Sequence, residues 1–208
     1  MPRKEDILAA IRAAKEAQLH LPVHDEHGTH LSSMRVMGSS PEEVKHIADW
    51  REAARDSAPT MFPYNLENTR RWVEKQVDTH PERILFFLET PDGERWGHLG
   101  LATFGFEPHV SAELDAIMRG REDIAKGVMT PAIRTLMEWG KENLGIQQFG
   151  LRVFSDNERA IRLYERLGFE RDRLIPMIFE KGEPISKWRE CLEGEEPGRY
   201  FLVMRRPA

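Results

Sequence analysis

The sequence predicts an α/β fold, a mixed sheet covered by helices, and three observations carry that prediction. Amphipathic helical stretches alternate with short strand-like runs. Two apolar runs, residues 83–90 and 96–106, are joined by Pro91-Asp92-Gly93, a turn signal that makes them a hairpin. Residues 113–170 read as strand, polar loop, helix, strand, helix, which places a loop and a helix start between two strands. From residue 31 onward the predicted order is β-α-α-β-β-β-α-β-α-β-β.

Bulk composition narrows the class. A chain of 208 residues with 40% hydrophobic and 31% charged residues supports a real core and a solvated surface. Thirty Lys and Arg stand against 35 Asp and Glu, a net charge of -5, so nucleic acid is not expected as the main ligand. Cys191 is the single cysteine and has no intramolecular partner, which fits a reducing cytoplasm. No apolar run approaches the ~20 residues of a membrane span, and no signal-peptide core is visible near Met1.

The elements follow in order. Ile7, Leu8, Ile11 and Ala14 recur at helical spacing within residues 4–19 and predict an N-terminal amphipathic helix that packs on the body or on a second subunit. Pro22 ends it, and residues 1–30 read as a helix-and-linker appendage to a domain spanning residues 31–208. His24, Asp25, Glu26, His27 and His30 lie in that linker; without a rigid scaffold they read as solvated loop, and no metal is expected. Residues 31–37 are a strand. Ser40, Pro41 and Glu43 form a helix start with a capping box, and Val44, Ile47, Ala48 and Arg51 share one stripe of the helix that follows. Residues 58–65 are an irregular apolar loop. Residues 68–77 are helical, with Trp72, Val73 and Gln76 at helical spacing. Gly100 and Gly105 inside a strand signal a bulge or a close backbone approach. Strands at 173–180 and 200–205 flank a polar insertion, residues 182–198.

The chemistry concentrates in residues 113–170. A helix N-terminus offers unpaired N–H groups and partial positive charge, and Gly127 allows close approach of a ligand. Ala125, Lys126, Gly127, Val128, Met129 and Thr130 therefore present amides suited to a pyrophosphate. Further on, Asn157-Glu-Arg-Ala160-Ile-Arg-Leu-Tyr164-Glu-Arg-Leu-Gly168-Phe169 combines a helix start, an apolar stripe and a glycine stop. This segment resembles the GNAT superfamily of acetyl-CoA-dependent N-acetyltransferases, whose pattern is roughly N-x-x-A-x-x-x-Y-x-x-x-G-F. The loop departs from the family's Q/R-x-x-G-x-G/A, since Ile124, Gly127 and Met129 occupy those positions. An Arg119-Gly120 strand end followed by Lys126-Gly127-Val128-Met129 looks like members associated with sugar and polysaccharide biosynthesis.

The resemblance implies a mostly antiparallel mixed sheet and acetyl-CoA as co-substrate. The backbone of Ile117, Met118 and Arg119 would pair with the pantetheine arm, with Asn157 and Ala160 opposite. Tyr164 falls at the family's general-acid position, where a phenol protonates the leaving thiolate. Glu113 and Asp115 are two apart on a strand and share a face with Ile117 and Arg119. Glu113 is the first candidate for general base and Asp115 the second, with His98 and His109 as rivals. The implied acceptor is a primary amine on a small molecule, with a nucleotide-linked amino sugar as one form. Protein N-terminal or lysine acetylation and a non-catalytic acyl-CoA sensor are the alternatives. Residues 58–65 and 182–198 would line the acceptor pocket; Trp188, Lys187 and Arg189 either cover an acidic nucleotide sugar or decorate the surface. A homodimer is also an expectation.

Overall fold

The computed structural model describes residues 2–121 and 127–207. Ten strands among them form one sheet, and every neighbouring pair is antiparallel except one. The chain opens with α1 (Lys4–Glu16), β1 (His20–His24), β2 (His30–Val36) and α2 (Pro41–Ala53). Ile7, Ile11 and Val23 enter the main core, and β1 pairs with β2, so the segment set apart as an appendage shares the core of the remainder. Pro22 is tolerated inside β1 because that strand lies at the sheet edge. The carboxylate of Asp25 accepts the amides of His27 and Thr29 and builds the turn to β2. At α2, the Ser40 hydroxyl accepts from the Glu43 amide while the Glu43 carboxylate accepts from the Ser40 amide, as the capping box predicts.

Next come β3 (Thr60–Met61), α3 (Leu66–Val73) with a π-helical turn at Glu74–Asp78, β4 (Ile84–Glu89) and β5 (Arg95–Gly105). All of β4 is buried because helices cover both faces of the sheet. Ile84, Phe86 and Leu88 face the core shared with α1 and α4, while Leu85 and Phe87 face α2 and α3. The glycines of β5 are there for close approach. A Cβ at Gly100 would lie 2.1 Å from the Ile84 carbonyl oxygen, and one at Gly105 would lie 2.6 Å from Ser111 Oγ. Gly100→Ala is therefore expected to lower unfolding stability by ~1–3 kcal/mol, the usual cost of overpacking. Urea denaturation measures it, and an unchanged midpoint would mean that β4 and β5 separate without penalty.

The remaining elements are β6 (Ser111–Arg119), α4 (Met129–Leu144), β7 (Gln148–Phe154), α5 (Glu158–Arg166), β8 (Glu170–Glu180), β9 (Ser186–Glu190) and β10 (Arg199–Pro207). The order across the sheet is β1-β2-β4-β5-β6-β7-β10-β8-β9-β3. β9 arises from the insertion and β3 from the irregular loop, and the two pair through Thr60–Lys187 and Met61–Ser186. Residues 58–65 and 182–198 are thus joined by a short ladder. No helix among the described residues is long and apolar enough to cross a membrane.

Candidate active site

The site begins where two strands part. β6 and β7 are the parallel pair, and their ladder runs only from Ser111–Gln148 to Glu113–Gly150. Both strands continue, β6 to Arg119 and β7 to Phe154, without pairing with each other. Their facing edges keep free N–H and C=O groups, which an extended ligand can pair with as a further strand. A cavity of about 970 Å³ occupies the opening and reaches out beneath β3 and β9.

A bulge sets what β6 shows to that cavity. His98 pairs with Met118 and Gly100 with Asp115, so Ala116 and Ile117 both stand opposite Leu99. Ala116 takes φ 49°, a left-handed conformation costly for a residue with a Cβ. The extra residue corrects one expectation. Glu113 and Asp115 share a face, but Ile117 turns to the core beneath α4 while Ala116 and Met118 turn toward α2 and α3. Strict alternation ends at the bulge.

Six of the expected site residues come together. Glu113, Asp115 and Ile117 of β6 line the cavity along with Asn157, Ala160 and Tyr164 at α5. Met118 and Arg119 lie outside the lining, and the Arg119 guanidinium donates to the Arg121 carbonyl. Gly127, Val128, Met129 and Thr130 also lie outside it, at the start of α4; Ala125 and Lys126 fall outside the described residues. Asn157 caps α5 by accepting the Ala160 amide at Oδ1 (3.2 Å), which leaves its Nδ2 group for the cavity. Glu113 Oε2 accepts from Arg152 Nη2 at 2.8 Å, and Asp115 Oδ2 accepts from Arg83 Nε at 2.6 Å. The Tyr164 ring stacks edge-on against Phe169, and burial pushes its phenol up to about 12. A proton held that tightly stays on the oxygen throughout the neutral range.

These residues fit an acyl-CoA. The parted edges suit an amide-bearing arm, and the amides of Val128 and Met129 have no backbone partner among the described residues. Gly127 has φ 96° with open space where a Cβ would be, so backbone can approach a phosphate there. The Thr130 amide is less available than expected, because it already donates to the Gly127 carbonyl.

The rival histidines are placed elsewhere. His109 precedes β6, at the end where β6 and β7 are still paired. His98 is 1% exposed, and its Nδ1–H donates to the Ala116 carbonyl, so it props the bulge instead of facing the cavity. Burial, with Arg51 and Arg83 nearby, drives its pKa from 6.5 down to about 4 despite that bond. Since the folded pKa is depressed, the unfolded chain binds the proton first as the pH falls. The stabilising contribution is complete above pH 6.5 and is lost toward pH 4, on the order of 3 kcal/mol across the window. His98→Gln is expected to flatten the pH dependence of the urea midpoint between those values; an identical slope in the variant would assign acid sensitivity to other groups.

The acceptor side holds residues that sequence reasoning missed as a group. Arg51 of α2 sits among Phe62, Tyr64 and Trp72, with its guanidinium 4.4 Å from the Trp72 ring centroid. Arg83 also lies over the Trp72 ring, 5.2 Å from its centroid. Trp188 and Arg189 of β9 line the cavity, whereas Lys187 is exposed and paired with Glu180. One signal was present: Arg51 is an arginine on an otherwise apolar helical stripe.

Comparison with known proteins accords with this geometry. The profile of the acetyltransferase (GNAT) domain matches residues 28–170. An uncharacterized prophage-derived N-acetyltransferase of Bacillus subtilis is 30% identical over 142 residues, spanning 63% of this chain and 72% of the relative. A spermidine N(1)-acetyltransferase of Escherichia coli is 29% identical over 137 residues, 62% of this chain and 72% of the relative. Among solved structures, spermidine N-acetyltransferase from Vibrio cholerae in complex with CoA and spermine superposes with a TM-score of 0.64 at 17% identity, covering 85% of this chain and 95% of that one. A GNAT-family acetyltransferase from Bacillus anthracis gives 0.64 at 11% identity, covering 91% and 98%. The parted parallel strands, the tyrosine-bearing helix and the matched profile lead to one assignment: the chain belongs to the GNAT acetyltransferase family, as an acetyl-CoA-dependent N-acyltransferase.

Proposed function

We propose that this enzyme acetylates the primary amine of a small molecule held in the cavity beneath β3 and β9, with Tyr164 as general acid and Glu113 as general base. The observation that carries this reading is the convergence of Tyr164, Glu113, Asp115, Asn157 and Ala160 on one cavity at the parted strands. Acetyl-CoA, when bound, supplies the acetyl group as a thioester. Asn157, Ala160, the β6 edge near Ile117 and the amides of Val128 and Met129 hold and orient it. Tyr164 carries a firmly held proton at Oη for the departing sulfur. Glu113 takes the proton that the amine must lose, and Asp115 is the alternative acceptor on the same face.

Arginine pairing distinguishes the two carboxylates. The Arg152 side chain that meets Glu113 is 42% exposed and can swing into water. Arg83, which meets Asp115, is also held by Gln76 and lies over Trp72. Glu113 is therefore the easier of the two to release for proton transfer. The spermidine acetyltransferase relative supports a small amine as the acceptor class. A nucleotide-linked amino sugar is a narrower form of the same reading.

The test has two stages. Acetyl-CoA at millimolar concentration is expected to raise the melting temperature. A panel of polyamines, amino acids, nucleotide-linked amino sugars and basic peptides is then scored by CoA release, with turnover of a small amine expected. Absence of any thermal shift would sink the acetyl-CoA step, and turnover of peptides alone would replace the small-molecule acceptor.

A further inference from the structure

We infer that the acceptor amine carries an acidic group, a carboxylate or a phosphate, and that Arg51 receives it; this deepens the function proposed above and rests on it. The cavity is lined by six basic side chains and three carboxylates. Four of the basic groups already have carboxylate partners: Arg71 with Glu67, Arg83 with Asp115, Arg152 with Glu113, and Arg189 with Glu195. Lys75 is exposed at the rim. Arg51 is different. It is largely withdrawn from water, its Nε is buried with no hydrogen-bond partner, and no carboxylate among the described residues pairs with it.

What surrounds Arg51 is an aromatic box. Phe62, Tyr64 and Trp72 stand 5.4, 5.3 and 4.4 Å from its guanidinium carbon. Ring faces hold a cation in place and return part of its lost hydration, but they do not supply counter-charge. The neutral Tyr64 hydroxyl lies close to the guanidinium and donates its proton to the Thr60 carbonyl, so it adds a dipole there but no counter-charge. A planar fork of donors, fixed by three rings at the wall of a cavity and lacking an anion, is suited to bidentate recognition of carboxylate or phosphate. The polar wall continues through Gln76 and Arg83, so no further cation is needed from the ligand at that end.

The phosphates of acetyl-CoA are the competing source of negative charge, and the layers of the fold argue against them. Arg51 belongs to α2, whose Val44 and Ile47 pack on the sheet face that carries Leu85 and Phe87. The start of α4, where Gly127 and the amides of Val128 and Met129 lie, covers the opposite face with Val128 and Ala132 in the other core. Arg51 and the phosphate-binding loop therefore serve opposite ends of the reacting pair.

The experiment compares amines in matched pairs, each amino acid with its amide and each phosphorylated amine with its unphosphorylated form, along with polyamines, under saturating acetyl-CoA. The acids are expected to exceed their neutral partners at least tenfold in kcat/KM. Arg51→Gln is expected to collapse that ratio toward one, with the KM for the acid moving more than the KM for acetyl-CoA, and Arg51→Lys to restore part of the preference. The carboxylate and phosphate arms tell which acid is read. Preference for neutral amines or polyamines overturns the inference and leaves the acetyltransferase reading standing, as does an Arg51→Gln effect confined to acetyl-CoA. Melting temperatures with CoA present provide a readout independent of turnover. If acids raise them more than their neutral partners and nothing is acetylated, the acidic acceptor site stands and the proposed reaction falls; if acids give no added shift and no turnover, the inference falls as well.

Discussion

Replacing Tyr164 by phenylalanine is expected to lower kcat by ~10²- to 10⁴-fold, the span that a positioned proton donor supplies, with little loss of stability. The ring is buried, and its edge-on contact with Phe169 survives the change. No hydrogen bond joins the Tyr164 hydroxyl to a described residue, so its removal strands no buried partner. Because the proton is delivered as the carbon–sulfur bond breaks, kcat and kcat/KM are expected to fall together while the affinity for acetyl-CoA holds. With its pKa at about 12, Tyr164 imposes no alkaline limb on the wild-type profile below about pH 11. Steady-state kinetics from pH 6 to 10 measure all of this. Turnover unchanged across that range would remove Tyr164 from the chemistry and leave it as a core residue.

The sequence was most legible where a local signal and a tertiary requirement coincide. Ser40, Pro41 and Glu43 specify a helix start through bonds within four residues, and α2 begins there. Gly100 and Gly105 announced close approach, and both face atoms that a Cβ would strike. The Asn157-to-Phe169 motif placed Tyr164 and Ala160 on the cavity because helical spacing is fixed by geometry. What escaped depends on partners distant in the chain. β1, β3 and β9 are short or carry proline and charge, and each is a strand only because another segment pairs with it. The bulge at Ala116 is equally unreadable: alanine gives no local hint of a positive φ, and the ladder to β5 imposes it. The reversed alternation moved Ile117 to the other face. The box around Arg51 joins α2, the loop before α3 and α3 itself, and such a convergence appears only in three dimensions.

Glu113→Gln tests the proton acceptor on different grounds. A thioester is attacked only by the neutral amine, so near neutrality the enzyme must take a proton that water removes poorly. Glutamine keeps the size of the side chain and its place opposite Arg152 but cannot accept that proton. The expected result is a fall in kcat/KM of roughly 10²-fold or more on the acidic and neutral side, shrinking as the pH rises and free amine becomes abundant without assistance. Loss of the Glu113–Arg152 pair accounts for little of it, since that pair is partly exposed and worth under about 1 kcal/mol. Asp115→Asn is the necessary counterpart. Asp115 pairs with Arg83, whose side chain is only 13% exposed, and its removal leaves that guanidinium with Gln76 but no carboxylate at the acceptor wall. The damage expected from Asp115→Asn is to acceptor KM and stability, at every pH alike. If the pH-dependent loss appears in Asp115→Asn while Glu113→Gln retains the wild-type profile, the base is Asp115, and the exposure of the Arg152 partner was the wrong criterion for choosing between them.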